Sequence, residues 1–373
     1  MRRRACLALL PLAAAARLGA AAPDEEAVRR GRVLRFPRDH GAHLAAAIEW
    51  WYLTGALAPE GGGTHGFQIT FFRSRTGLAE GLDSRFAARH LLFAHAALTD
   101  LGGKRHLHAQ RVARWSGDPG SALAHASTQD TALRIGDWSL QRQDAAQRSR
   151  YHTRFGSART AAGSGFELQL QLDVTQPPLL QGDAGFSRKG PEEAQASHYV
   201  TEPQLALQGT LRRDGQALAV RGRAWLDHEW SDTLMHPEAV GWDWIGMNLD
   251  DGSALTAFRL RRADGSALWA GGSFRTADGR LQVFEADAVR FDAGRLWLSP
   301  ASGARYPLQW AVHTPAGRFE VQALLDAQEL DSRGSTGTVY WEGLSELRDA
   351  HGQRIGSGYL EMTGYAGRLR LGG

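Results

Sequence analysis

His228 and Trp230 stand two positions apart at the end of a run, Leu218 to Trp230, whose other even positions are Leu218, Val220, Gly222, Ala224 and Leu226. Read as one strand, the run turns these residues to one apolar, inward face and carries the imidazole and the indole with them. Asp227 and Glu229 then point the other way, where they orient a domain interface or the next loop and are further acid–base candidates. On Trp242 to Leu249 the odd positions are Asp243, Ile245, Met247 and Leu249, which places a carboxyl group on an apolar face. A desolvated Asp holds its proton more tightly and can act as an acid toward an alkene or a carbonyl. A structural hydrogen bond to a backbone or indole donor is the alternative for Asp243. Trp242 and Trp244 fall on the opposite face, in the core or at an interface.

Glu49-Trp50-Trp51-Tyr52 is the corresponding feature of the first half. Tyr52 and one of the tryptophans, Trp51 among them, are expected to enter a first barrel, where a large apolar surface with a polar tip suits an oily ligand. Glu49 begins the strand and can bond loop amides. His95 lies in phase with Phe93 and Ala97. Arg188, His198 and Tyr199 sit in an irregular segment, Gln181 to Pro203, of the kind that supplies polar groups to sites. There is no His-Glu-x-x-His, Walker loop, Gly-x-Ser-x-Gly elbow or paired Cys. No spacing among His95, His198 and His228 demands a metal, and no motif calls for a cofactor.

The elements that must position these groups are strands. Phe166 to Val174 alternates apolar and polar without a break, and Gln204 to Leu211 and Phe319 to Leu325 behave similarly. Asp-Gly pairs at 214, 251, 264 and 278 lie between such runs and mark hairpins. No long amphipathic helix is present, and a short helix is expected around Ser84 to Arg89. The fold class is therefore all-β, a sandwich or barrel.

Two segments repeat. Trp51-Tyr52-Leu53-Thr54-Gly55 is echoed by Trp242-Asp243-Trp244-Ile245-Gly246, and a pattern Gly-x-x-x-Thr-x-Phe-Arg occurs at Gly66 to Arg73 and Gly252 to Arg259. Two related β domains follow, over 23–222 and 223–373, with the boundary near Gly222 to Asp232 and the segment Gln181 to Pro203 packed between them.

The first residues read as an export leader over 1–22: Arg2, Arg3 and Arg4, an apolar run from Ala5 to Ala16, then small residues through Ala22. That run is too short to span a bilayer, and no later stretch is apolar enough. The single Cys, Cys6, lies inside the leader, so the mature chain forms no disulfide. The formal charge of +3 includes four leader arginines and becomes −1 without them. Charge thus gives no reason to expect nucleic acid as a partner.

Phe36-Pro37-Arg38-Asp39-His40-Gly41, Glu49 to Gly55, Phe186 to Pro191, Ala196 to Tyr199, Ala224 to Ser231, Gly241 to Gly246 and Gly358 to Tyr365 together resemble the AttH-like secreted proteins. These are grouped with the carotenoid 1,2-hydratases in one lipocalin-like superfamily. The resemblance runs from about Phe36 to Tyr365. It implies two lipocalin-like antiparallel β-barrel domains packed together, an exported (periplasmic or secreted) location, and a link to an ABC-type envelope export system. Such proteins are often described as secreted hydrolases. The hydratases add water across a terminal double bond, with a His-x-Trp pair and a later Tyr-x-Asp pair. His228 and Trp230 match the first, whereas Leu255 to Arg259 contains neither Tyr nor Asp of the second.

Two readings follow. One is a protein that binds an apolar, lipid- or isoprenoid-like molecule. The other is a hydrolase or a hydratase- or cyclase-type enzyme in which His228 and Asp243 supply acid–base groups and Trp230 and Tyr52 face developing positive charge.

Overall fold

The computed structural model describes residues 27–145, 148–158, 165–233 and 235–368. The leader proposed for 1–22 lies outside the described residues. Among those described, no helix is long and apolar enough to cross a membrane.

The alternating segments form the expected strands. Phe166–Asp173 alternates between buried and more exposed positions along its length, the segment from Gln204 falls within the long strand Ala196–Arg213, and Gly317–Ala323 takes the third. All four Asp-Gly pairs join consecutive antiparallel strands. At Asp214-Gly215 both residues have positive φ, 52° and 83°, the backbone that a two-residue hairpin turn needs to match strand twist.

The strands make two large, near-closed antiparallel sheets. The first has thirteen strands. Its centre is formed by His90–Asp100, His65–Arg75, Ile48–Pro59, Gln216–Ser231 and Ala196–Arg213, in that order. The second has ten, centred on Ala267–Arg275, Ala254–Arg261, Gly241–Leu249, Arg354–Met362 and Val339–Arg348. The fold is therefore two curled β-barrels in tandem. Because Gln216–Ser231 belongs wholly to the first sheet, the change of sheet comes between Ser231 and Gly241, at the late end of the expected Gly222 to Asp232 boundary and after the 222/223 division.

The two repeated hairpins occupy equivalent places, each beside the last strand of its own barrel. Structural equivalence pairs Glu49, not Trp51, with the second half. Glu49 stands opposite Arg73 and bonds its Nε at 2.9 Å. Asp243 stands opposite Arg259 and bonds its Nε at 2.7 Å. Each half thus carries one inward carboxylate–guanidinium pair at the same point of its first hairpin.

The expected helix around Ser84 to Arg89 does not form. Gly77 and Gly81 precede it, and the Thr76 and Ser84 hydroxyls accept hydrogen bonds from the amides of Leu78 and Phe86. Such local side-chain caps stabilise turns in competition with helix.

The first barrel is filled by Trp51, Leu53, Phe67, Phe71, Tyr151, Leu207 and Leu226 among others, and the second by Ile245, Met247, Leu255, Trp310, Trp341 and Leu360 among others. A third apolar cluster, including Tyr52, Trp225, Trp244, Phe258, Leu260, Leu344 and Tyr359, joins the outer faces of the two sheets. Of the segment Gln181 to Pro203, Ala196 to Pro203, with His198 and Tyr199, belongs to the strand Ala196–Arg213, paired along Gln216–Ser231, and is not irregular; Gln181 ties the remainder to both barrels. Its amide donates to the hydroxyls of Thr201 and Thr256, each at 3.0 Å, and Ser273 donates to its oxygen at 2.7 Å.

Candidate functional site

Period-two geometry gives every strand an inner and an outer side, and chemistry-bearing residues occur on both. In the strand Gln216–Ser231, His228 and Trp230 continue the inward face of Ala224 and Leu226. Among the described residues, neither lines the cavity between the sheets or the grooves on the surface. His228 is buried, stacked on Trp51 with ring centroids 4.5 Å apart, and its Nε2 is 2.9 Å from Glu49 Oε1. His43 lies between Glu49 and Asp39, with nitrogen–oxygen distances of 2.8 and 2.9 Å, and stacks on Trp230 at 3.7 Å. Ligand atoms of His43, Glu49 and His228 lie within 4.8 Å of one another, close enough to share a cation. Arg73, however, already supplies Glu49 with a fixed positive charge. The network reads as a buried ion-pair brace across the end of the first barrel.

Asp243 is inward as expected, yet it is not an unpaired acid. Arg259 and Arg261 place their Nε atoms 2.7 and 3.1 Å from its Oδ2, and Tyr365 donates to Oδ1 at 2.9 Å. His95 faces the second sheet, with Nδ1 2.9 Å from the Tyr340 hydroxyl and Nε2 2.8 Å from Ser335 Oγ. Burial lowers its proton affinity to a pKa of about 3. Arg188 lies over the Trp269 ring at 4.4 Å and donates to the carbonyls of Gly190 and Pro191. His198 is packed 5.4 Å from Trp230. None of these residues lines the cavity between the sheets.

That cavity, of about 140 Å³, lies where the outer faces meet. Tyr52 belongs to it, not to the barrel interior: Trp51 points in and Tyr52 out. Trp50, Tyr52 and Phe72 form the wall from the first sheet, and Trp242, Trp244, Phe258 and Leu260 the wall from the second. A broader groove of about 590 Å³ crosses the outer face of the first sheet. It is polar and has no Trp, Tyr or Phe in its lining, so the smaller cavity is where apolar and acidic groups converge.

Four carboxyl groups reach this cavity: Asp227 and Glu229 from the first sheet, Glu342 and Glu361 from the second. Glu229 is matched by Lys189, whose Nζ lies 3.0 Å from it and 4.2 Å from the centre of the Phe258 ring. Asp227 accepts from the hydroxyls of Tyr199 at 2.7 Å and Thr201 at 2.6 Å, with the Trp225 indole also beside it, and the Trp244 indole donates in turn to Tyr199 at 3.1 Å. Burial pushes the Asp227 pKa up to about 7. Glu342 and Glu361 are directly opposite one another on neighbouring strands. Burial raises both, Glu361 to about 7 and Glu342 well above the usual carboxyl range, and the Glu361 charge raises Glu342 further. Trp242 donates to Glu361 at 3.1 Å. Burial and the neighbouring Glu342 raise the Tyr52 hydroxyl well above its usual pKa. Carboxyl groups that change protonation near neutral pH in an aromatic cavity are suited to giving and taking protons.

Of the residues singled out in the sequence, the cavity therefore unites Asp227, Glu229, Tyr52, Tyr199 and Trp242. It excludes His228, Trp230, Asp243, Trp51, Glu49, His95, Arg188 and His198. Glu342 and Glu361 were not singled out, although Tyr340-x-Glu342-x-Leu344 and Tyr359-x-Glu361 each place an acid in phase with apolar residues.

Fold and site together define a tandem β-barrel protein with an acidic, aromatic cavity between its barrels. The chain belongs to the AttH-like family, whose model matches residues 27–365. The crystal structure of a protein assigned as AttH from Nitrosomonas europaea is 42% identical, with a TM-score of 0.81 over 91% of this chain and 99% of that one. Kievitone hydratase from Nectria haematococca shares the fold at 15% identity, with a TM-score of 0.64 over 88% of this chain and 92% of that one. A search of curated proteins found no match.

Proposed function

We propose that this chain is an acid–base enzyme that holds a small, largely apolar molecule between its barrels and moves protons on it. The observation that carries this reading is the set Asp227, Glu342 and Glu361: carboxyl groups lining an aromatic cavity with no cationic partner at hydrogen-bonding distance among the described residues. Passive binding of an oily ligand needs no such groups, and keeping a carboxyl in an apolar site costs stability unless it stays protonated. Retaining three favours a chemical role over a storage role.

In the step proposed, a neutral carboxyl of Asp227 or Glu361 breaks its O–H bond and protonates an alkene carbon or a carbonyl oxygen. The resulting positive charge lies against the faces of Trp50, Trp242 and Trp244. Either water adds and gives a proton to a carboxylate, or a neighbouring carbon loses one to it. Both routes restore the acid. The likeness to a named hydratase establishes fold only, but water addition is one outcome of this step.

The test is conversion of aryl- and isoprenoid-substituted alkenes by the purified chain in deuterated water, followed by mass spectrometry. Carbon-bound deuterium that disappears in Asp227→Asn and Glu361→Gln, with folding intact, is the expected result. Uptake of the alkene with no deuterium incorporated in any member of the panel would reduce the site to a binding pocket.

A further inference from the structure

The connection between His65–Arg75 and His90–Asp100 holds three large apolar side chains out in solvent: Leu78 is 87% exposed, Leu82 58% and Phe86 61%. They recur every fourth residue and pack on no core. Leu91 and Val112, on the outer faces of adjoining strands, are also exposed and extend the patch. Arginines surround it. Arg85 lies 4.8 Å from the Phe86 ring centre, Arg89 donates to the Leu82 carbonyl at 2.6 Å, and Arg114 stands opposite Leu91. Of the two acids in residues 76–89, Glu80 is matched by Arg75 at 2.8 Å and Asp83 remains among cations.

The patch is at the cavity end of the first barrel. Ile48, part of the cavity wall, pairs with Ser74, and Ser74 pairs with Leu91. Phe72, also of the wall, stacks at 4.7 Å on Phe93, two residues beyond Leu91 in the same strand.

We propose that this loop seats the protein on a lipid bilayer bearing anionic headgroups. Leu78, Leu82 and Phe86 enter the acyl boundary, the arginines lie at headgroup level, and the cavity end of the barrel faces the lipid. Two features favour a bilayer over a protein partner. Stable protein interfaces take about 20–30 residues a side, and one loop with two flanking side chains is far smaller. Apolar tips ringed by arginines also match the layered chemistry of an anionic lipid surface. This inference rests on the exposed loop and is independent of the proton chemistry in the cavity.

The test is flotation of the full chain with phosphatidylcholine vesicles, with and without phosphatidylglycerol. The chain is expected to float with phosphatidylglycerol vesicles, less so at high salt. The triple variant Leu78→Ser, Leu82→Ser, Phe86→Ser is expected to lose at least about tenfold in partitioning, with an unchanged circular dichroism spectrum. Arg85→Gln with Arg114→Gln should weaken binding only to the anionic vesicles. Equal flotation of parent and triple variant would overturn the proposal, since binding would then come from another part of the chain. So would a parent dimer that the triple variant converts to monomer, which would assign the patch to a second copy.

Discussion

Glu342 and Glu361 stand directly opposite one another on adjacent antiparallel strands, and both line the cavity between the barrels. Opposed like charges repel, and here water is largely excluded. Burial and the Glu361 charge together raise the Glu342 pKa well above the usual carboxyl range. Replacing Glu361 with Gln removes the charge that raises Glu342, so Glu342 should then titrate at a lower pH. A carbonyl-region infrared titration of the variant against the parent would register the shift; an unchanged profile would mean the two do not interact.

Asp227 gives a signed pH dependence. Its folded pKa is raised from 3.8 to about 7, so the folded protein binds its proton more tightly than the unfolded chain does. The associated stability is intact below pH 3.8 and is lost as pH rises toward about 7. Asp227→Asn should remove this slope, making the variant more stable than the parent at about pH 8 by roughly 1–3 kcal/mol. Urea midpoints across that range check it.

Asp243→Asn is expected to behave in the opposite way. It leaves the part-buried Arg259 and the buried Arg261 without their carboxylate, and breaking a buried ion pair typically costs about 3–5 kcal/mol. A variant with an unchanged melting temperature would show that the two guanidinium groups find other partners.

His228 should matter for stability and not for chemistry. His228→Ala removes the contact with Trp51 and the bond to Glu49, for a loss on the order of 2–4 kcal/mol. Per folded molecule, ligand uptake and proton exchange should match the parent. A specific loss of turnover in a fully folded His228→Ala sample would return the imidazole to the site.

Tyr52→Phe removes a hydroxyl that faces Glu342 in the cavity. Losing it should change stability by no more than about 1 kcal/mol. Loss of affinity for a cavity ligand beyond that of Phe72→Leu, measured by calorimetry, would assign the hydroxyl a hydrogen bond to the ligand.

The all-β architecture was legible in the alternation of Phe166 to Asp173 and in the four Asp-Gly turns, because both depend on neighbouring residues only. The inward course of His228 and the outward course of Asp227 were legible for the same reason. The choice between them was not. An inward face can be a ligand cavity or a filled core, and that depends on what the far strands contribute. Trp51 and His43 fill the space beside His228, whereas Tyr199, Trp244 and Glu361 leave space beside Asp227. Which of the two readings of Asp243 holds depends on Arg259, which stands across a hairpin, and neighbouring residues alone do not set that register. Glu342 and Glu361 become a pair only when the last two strands align.

The cavity is walled by the outsides of two barrels, so its dimensions belong to neither one. A substitution that slides or tilts one half against the other, such as a change at Gln181 or at Gln204, whose amide donates to the Leu249 and Ser253 carbonyls of the second barrel, would resize the chamber and respace its acids with every lining residue unchanged. Selectivity in this architecture can therefore diverge through the seam that holds the halves in alignment, at positions a comparison of pocket residues would pass over.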